Sequence, residues 1–146
     1  MYQEFIEQMY KVFSDVEKPL IDDITPHRCI ECDDIRDQVH PYNKRDLTDA
    51  LLKYHGDALP LLSAEALRYY FPRYIEFGLL NQDSNVFDNC LYHLSPEEID
   101  EYWKERINVF SKNEKEILVE YLHIREQGED AEFNEEYIQR ALKIWV

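Results

Sequence analysis

Glycine is nearly missing from this chain: 146 residues hold three, at positions 56, 78 and 128. A hairpin-rich β protein needs turn residues at short intervals, so this scarcity excludes that class and points to an all-α fold. Basic residues are also few, sixteen Lys and Arg against thirty-one Asp and Glu, for a formal charge of −15. Phosphate-backbone binding needs a basic face, so nucleic acid is not an expected partner. No run approaches the roughly 18 apolar residues of a membrane helix, and residues 1–10 (MYQEFIEQMY) are acidic where a secretory signal would be basic. A cytoplasmic protein without membrane attachment is expected. Cysteine is scarce and odd in number, at Cys29, Cys32 and Cys90, which argues against a disulfide framework and leaves reduced thiols or a metal site. Calcium-loop, H-E-x-x-H, G-x-S-x-G and P-loop patterns are absent as well, so no motif supports an enzyme.

What the chain does hold is helical periodicity. Residues 1–146 lack an internal repeat or a long linker and read as one helical domain of about seven helices. Phe5, Ile6, Met9, Tyr10, Phe13 and Val16 recur at steps of three and four, predicting a helix over 2–17 that Pro19 ends. Ser63 precedes AEALRYYFPRYIEFGLL, a helix that Pro72 should kink or split in two. Ser95-Pro96-Glu97-Glu98 and Ser111-Lys112-Asn113-Glu114 each read as a capping box, predicting helices over 96–110 and 112–127. Gly128 supplies a stop and Asn134 a new cap for a last helix with Tyr137, Ile138, Ala141, Leu142 and Trp145 on its inner face. Weaker helices are read at 29–38, 46–54 and 84–93. The stretch 18–46, with Pro19, Pro26 and Pro41 among dense charges, reads as an irregular segment that buries little apolar area, a functional loop or a metal-stapled insert.

Three constellations carry chemistry. Cys29-x-x-Cys32 can converge on zinc from a tight turn, with His27 or His40 as a third ligand; a closed site wants four, so a second histidine or a carboxylate such as Asp33 must complete it. The bland alternative is two reduced cysteines packed at a helix start, and a thiol-redox role is the third reading. His55-Gly56-Asp57 offers a base beside a carboxylate, although such a turn commonly satisfies local backbone groups. Arg68-Tyr69-Tyr70-Phe71-Pro72-Arg73-Tyr74 concentrates arginines and aromatics in an acidic chain. One stripe cannot bury four rings, so Tyr69 or the arginines are expected at the surface as partner anchors, with Tyr74 beside them, unless Arg68 and Arg73 pair with internal acids such as Asp57 or Glu76. Cys90 reads as core, and the carboxylate runs at 97–101 and 129–132 as helix-end charge.

The strings TPHRCIECD (residues 25–33), LPLLSAEALRYYFPRY (59–74) and LYHLSP (91–96) resemble a family of short, uncharacterised bacterial proteins classed as a domain of unknown function. The resemblance runs from about Phe13 to Trp145. It implies no activity, substrate or cofactor; it marks His27, Cys29 and Cys32, the His55-Gly56-Asp57 turn, and Arg68 to Tyr74 as segments that come together in one site.

Two function classes follow. One is a protein-interaction module that docks a basic protein partner, an immunity protein blocking a basic toxin being its narrowest form, with Arg68, Tyr69, Arg73, Tyr74, His55 and Asp57 as contact residues. The other is a metal- or thiol-dependent protein with zinc at His27, Cys29 and Cys32 and, more weakly, His40. A homodimer through the C-terminal helices is a further expectation.

Overall fold

A computed structural model describes residues 1–146 and contains eight α-helices, two short 3-10 turns at Ile21–Asp23 and Leu59–Leu61, and no strand. The all-α expectation is met, with eight helices where about seven were expected. No helix is long and apolar enough to cross a membrane. The chain forms two compact units, Met1–Cys90 and Leu91–Val146.

The first unit contains α1 (Gln3–Val12), α2 (Ile30–Val39), α3 (Asp49–Tyr54) and α4 (Ala64–Leu80), and α5 (Asn85–Leu94) begins in it. Helix α1 buries Phe5, Ile6, Met9 and Tyr10, as its periodicity predicts, but stops well before Pro19. Ser14 is the reason: its hydroxyl donates to the Lys11 carbonyl at 2.7 Å and its amide turns back to the same oxygen, so the chain tightens and leaves the helix. The helix expected over 29–38 is found as α2, but the expectation that 18–46 buries little apolar area is corrected, because Ile24, Cys32, Ile35 and Val39 are all buried.

Helix α4 is the hub of this unit, with α1 and α3 packed against it. Ser63 caps it by accepting the Ala66 N–H at 3.0 Å. Of the two expectations for Pro72, a kink or a split, the split is excluded: α4 is one continuous helix of 17 residues. A mid-helix proline costs about 3 kcal/mol, but twelve residues of α4, Pro72 among them, are buried, and that burial offsets the loss. The same surround corrects the reading of its aromatics, because Tyr69, Tyr70, Phe71 and Tyr74 are all buried. Neighbours on several sides receive the rings, where a single stripe could not.

Gly78 is where α4 meets α5: a Cβ there would stand 3.0 Å from the Phe87 Cα and 3.3 Å from its nitrogen. Gly78→Ala gains about 1 kcal/mol in helix propensity and loses about 1–3 kcal/mol to overpacking against backbone. The expected net is a loss of about 1 kcal/mol in a urea titration; a variant more stable than wild type would refute the close approach.

The second unit holds the end of α5, then α6 (Glu101–Asn108), α7 (Lys112–Glu126) and α8 (Glu135–Trp145), with α7 and α8 packed on each other. The two capping boxes fare differently. At Ser111 both arms form: Ser111 Oγ accepts the Glu114 N–H at 3.2 Å, and Glu114 Oε1 accepts the Ser111 N–H at 3.1 Å. At Ser95 the box fails and the helix expected at Pro96 begins at Glu101, because the buried Ser95 hydroxyl donates back to the Leu91 carbonyl at 2.8 Å. The serine closes α5 instead, and Asp100 caps α6 by accepting the Trp103 N–H at 3.0 Å.

The stop near Gly128 and the start at Asn134 are found where expected, by other means. No glycine has positive φ, and Asn134 caps nothing with its side chain; it donates to Asp130 at 2.8 Å. Trp145 anchors α8, its Nε1–H donating to the Leu94 carbonyl at 2.9 Å and its ring meeting Phe110 edge-on.

Candidate functional site

Cys29 starts α2 from outside it. Its backbone is extended, and its Sγ accepts the Cys32 N–H at 3.3 Å in the manner of a serine cap. This first turn sends Cys32 and Ile35 into the core and leaves Ile30, Glu31 and Asp34 exposed. Helix α3 ends on Tyr54 and runs into the His55-Gly56-Asp57 turn. The two segments line one cleft of about 460 Å³, walled by Ile30, Glu31, Asp34 and Ile35 on one side and Tyr54, His55 and Asp57 on the other. Two of the segments singled out in the sequence thus meet.

The turn is held from below. Tyr74 donates its hydroxyl to the His55 carbonyl at 3.1 Å, the Ala58 N–H reaches the same oxygen at 3.1 Å, and Asn89 donates to the Gly56 carbonyl at 2.7 Å. His55 Nε2 donates to Gln38 Oε1 at 2.8 Å. Burial pushes the His55 imidazole below its ordinary pKa, although Asp34, Asp57 and Glu31 pull the other way. The ring is therefore neutral near pH 7, with one nitrogen committed to Gln38. Such a group positions its neighbours better than it moves protons. Tyr54 stands edge-on against it, centroids 4.8 Å apart, which orders an otherwise exposed side chain.

The cleft's character is one-sided. Ile30 is 85% exposed and Tyr54 70% exposed, both large apolar groups in open solvent. Three carboxylates, Glu31, Asp34 and Asp57, stand beside them, and no lysine or arginine lines the wall. A larger depression of about 570 Å³ lies in the second unit between the first turn of α7 and the end of α8, but its lining residues, Lys112 and Lys115 among them, include no histidine or cysteine.

The remaining expected site residues are dispersed. His27 is exposed and His40 half-buried beyond the last residue of α2. Cys32 is buried, and that burial, with Cys29 beside it, pushes its thiol up to about 11. No three His, Cys, Asp or Glu side chains gather closely enough to hold a metal ion together; the two sulfurs are half of a tetrahedral zinc set. Arg73 faces inward onto α3, donating to the Leu47 carbonyl at 2.8 Å, to Asp49 at 2.7 Å and to Glu76 at 3.3 Å. The internal-acid reading of this arginine therefore holds for Glu76. Arg68 is half-buried. Tyr69 is buried and accepts the Lys44 N–H at 3.2 Å, so neither it nor Tyr74 offers a ring to a partner. Ile30, Glu31, Asp34 and Tyr54 were missed as site residues by the sequence reading. Ile30 carried a signal, since it falls off the Cys32, Ile35, Val39 stripe and has no core to enter.

A protein-family model described as a family of unknown function (DUF6714) matches residues 1–146. No curated protein and no solved structure matches the chain.

Proposed function

Since the chain belongs to this family of unknown function and inherits no activity from it, we propose from its own surface that it is a protein-interaction module docking a basic protein partner in the α2–α3 cleft. One observation carries the reading: two exposed apolar side chains, Ile30 and Tyr54, sit among three carboxylates with no basic residue in the lining. Tyrosine is a favoured interface anchor, and one already ordered against His55 loses little freedom on binding. The net charge of −15 steers a cationic face toward the chain, and the local carboxylates fix its register. A basic toxin held inactive by this protein is the narrow form of the reading, and it predicts that binding silences the partner.

The test is affinity capture from cells of the native host with wild type, Tyr54→Ala and Asp34→Lys, at low and high salt. A protein with a Lys- or Arg-rich face is expected on wild type. Tyr54→Ala should weaken it by about 2 kcal/mol, about 30-fold, and Asp34→Lys should slow its association and flatten the salt dependence. A partner held equally by all three proteins would place docking elsewhere.

A further inference from the structure

We propose that Cys29 and Cys32 form a dithiol–disulfide couple that exchanges with low-molecular-weight disulfides, Cys29 attacking and Cys32 resolving. The proposal stands apart from the docking reading, because it concerns the two sulfurs and not the cleft wall.

The geometry separates the two roles. Cys29 is exposed, whereas Cys32 is 1% exposed beneath the first turn of α2. The Cys32 N–H reaches Cys29 Sγ at 3.3 Å, so the outer sulfur is folded back over the turn toward its partner. Residues three apart across a helical turn lie within the Cα separation of roughly 4.4–6.8 Å that a disulfide spans. Cys29 precedes the helix, so its side chain can rotate to close the bridge without breaking an intrahelical backbone bond. Electrostatics agree with the placement: after burial, the largest influences raising the Cys32 thiol come from Cys29. Exposure fixes the order of events, since an oxidant reaches the outer sulfur and not the inner one.

The exchange balances with a small disulfide as the oxidant. The Cys29 thiolate attacks one sulfur of that disulfide; its S–S bond breaks, and one small thiolate leaves and takes a proton from water. Cys32 then releases its proton to solvent and attacks the Cys29 sulfur of the mixed disulfide. A Cys29–Cys32 bond forms and the second small thiol departs. Two electrons pass from the protein to the small disulfide, which is reduced to two thiols. Cys90 is fully buried and serves as an internal spectator.

The test incubates the full-length reduced protein with oxidised glutathione, quenches with acid, alkylates and maps peptides by mass spectrometry. The expected product is one intramolecular Cys29–Cys32 bond, reversed by reduced glutathione, with Cys90 alkylated only after denaturation. Cys32→Ala should trap glutathione on Cys29. Cys29→Ser keeps a good helix cap and should trap none, its remaining thiols reacting slower by at least about tenfold. Circular dichroism of both variants confirms the helices. Stable glutathione on Cys29 of the wild type without closure, or equal sluggishness of the two variants, would overturn the proposal.

Discussion

Arg125→Ala is expected to lower the free energy of unfolding by about 3 kcal/mol. Arg125 is 1% exposed, and its guanidinium donates to the Tyr121 hydroxyl at 2.9 Å and to Asp130 at 3.1 Å. Asn134 meets the same Asp130 oxygen at 2.8 Å, so one buried cation ties the end of α7 to the turn that leads into α8. Truncation removes a long buried side chain and leaves both Tyr121 and Asp130 short of a donor. Breaking a buried pair costs about 3–5 kcal/mol, and the lower end applies because the Asp130 side chain keeps 32% of its exposure and water recovers part of the loss. Arg125→Met fills most of the space and should lose less. Urea titration with an unchanged slope is the measurement; an alanine variant within about 0.5 kcal/mol of wild type would show that the tie contributes little.

Acid should destabilise the protein from about pH 6.5 downward through His93. The ring is buried, packs 4.8 Å from Trp103, and its Nε2 accepts from Arg106 at 3.2 and 3.1 Å. Burial, and then the adjacent guanidinium, hold the imidazole well below its ordinary pKa. The sign follows directly. The unfolded chain takes up the proton near pH 6.5 and the folded chain resists it, so the stability contribution is complete above that value and is lost as pH falls toward the folded pKa. The loss grows by at most about 1.4 kcal/mol for each pH unit below about pH 6.5. His55, also lowered by burial, shares the window, whereas Glu7, held below the usual carboxylate range by Arg45, acts only below about 4.5. His93→Gln keeps an acceptor for Arg106 without the titration. The difference between wild type and this variant across pH 5–6.5 isolates the His93 share, and parallel curves would refute it.

These two sites mark how far the sequence could be read. Caps and stripes near each other in the chain were legible: Ser63 and Ser111 begin helices through their own side chains, and Ile138, Ala141 and Trp145 point inward. Ser95 matched the same pattern and did something else, because a buried hydroxyl can bond backward as readily as forward and only the packing around it decides. The split at Pro72 and the surface place given to the rings between Tyr69 and Tyr74 were misjudged for a related reason. A helix surrounded on several sides has no single stripe, and periodicity cannot count its neighbours. Of the candidate site, His55, Asp57 and the Cys29–Cys32 turn were visible as residue types. That they share a site was suggested by the resemblance alone; the residue pattern carries no sign of it, since their approach depends on Tyr74 and Asn89 holding the turn from distant positions. Arg125, with the largest expected mutational effect, left no trace in the local pattern; a lone arginine near a helix end reads as dipole compensation.

The enclosure of α4 also limits what can be altered. Between Ala64 and Leu80 only Glu65 and Leu80 are exposed, so these two positions are where a label, a crosslinker or a reporter can be attached without disturbing the interior. A library randomised over this helix would explore packing and little else. The long run of arginines and aromatics that stands out in the sequence is therefore a record of what the first unit must enclose, and attempts to engineer recognition belong on the short helices around it.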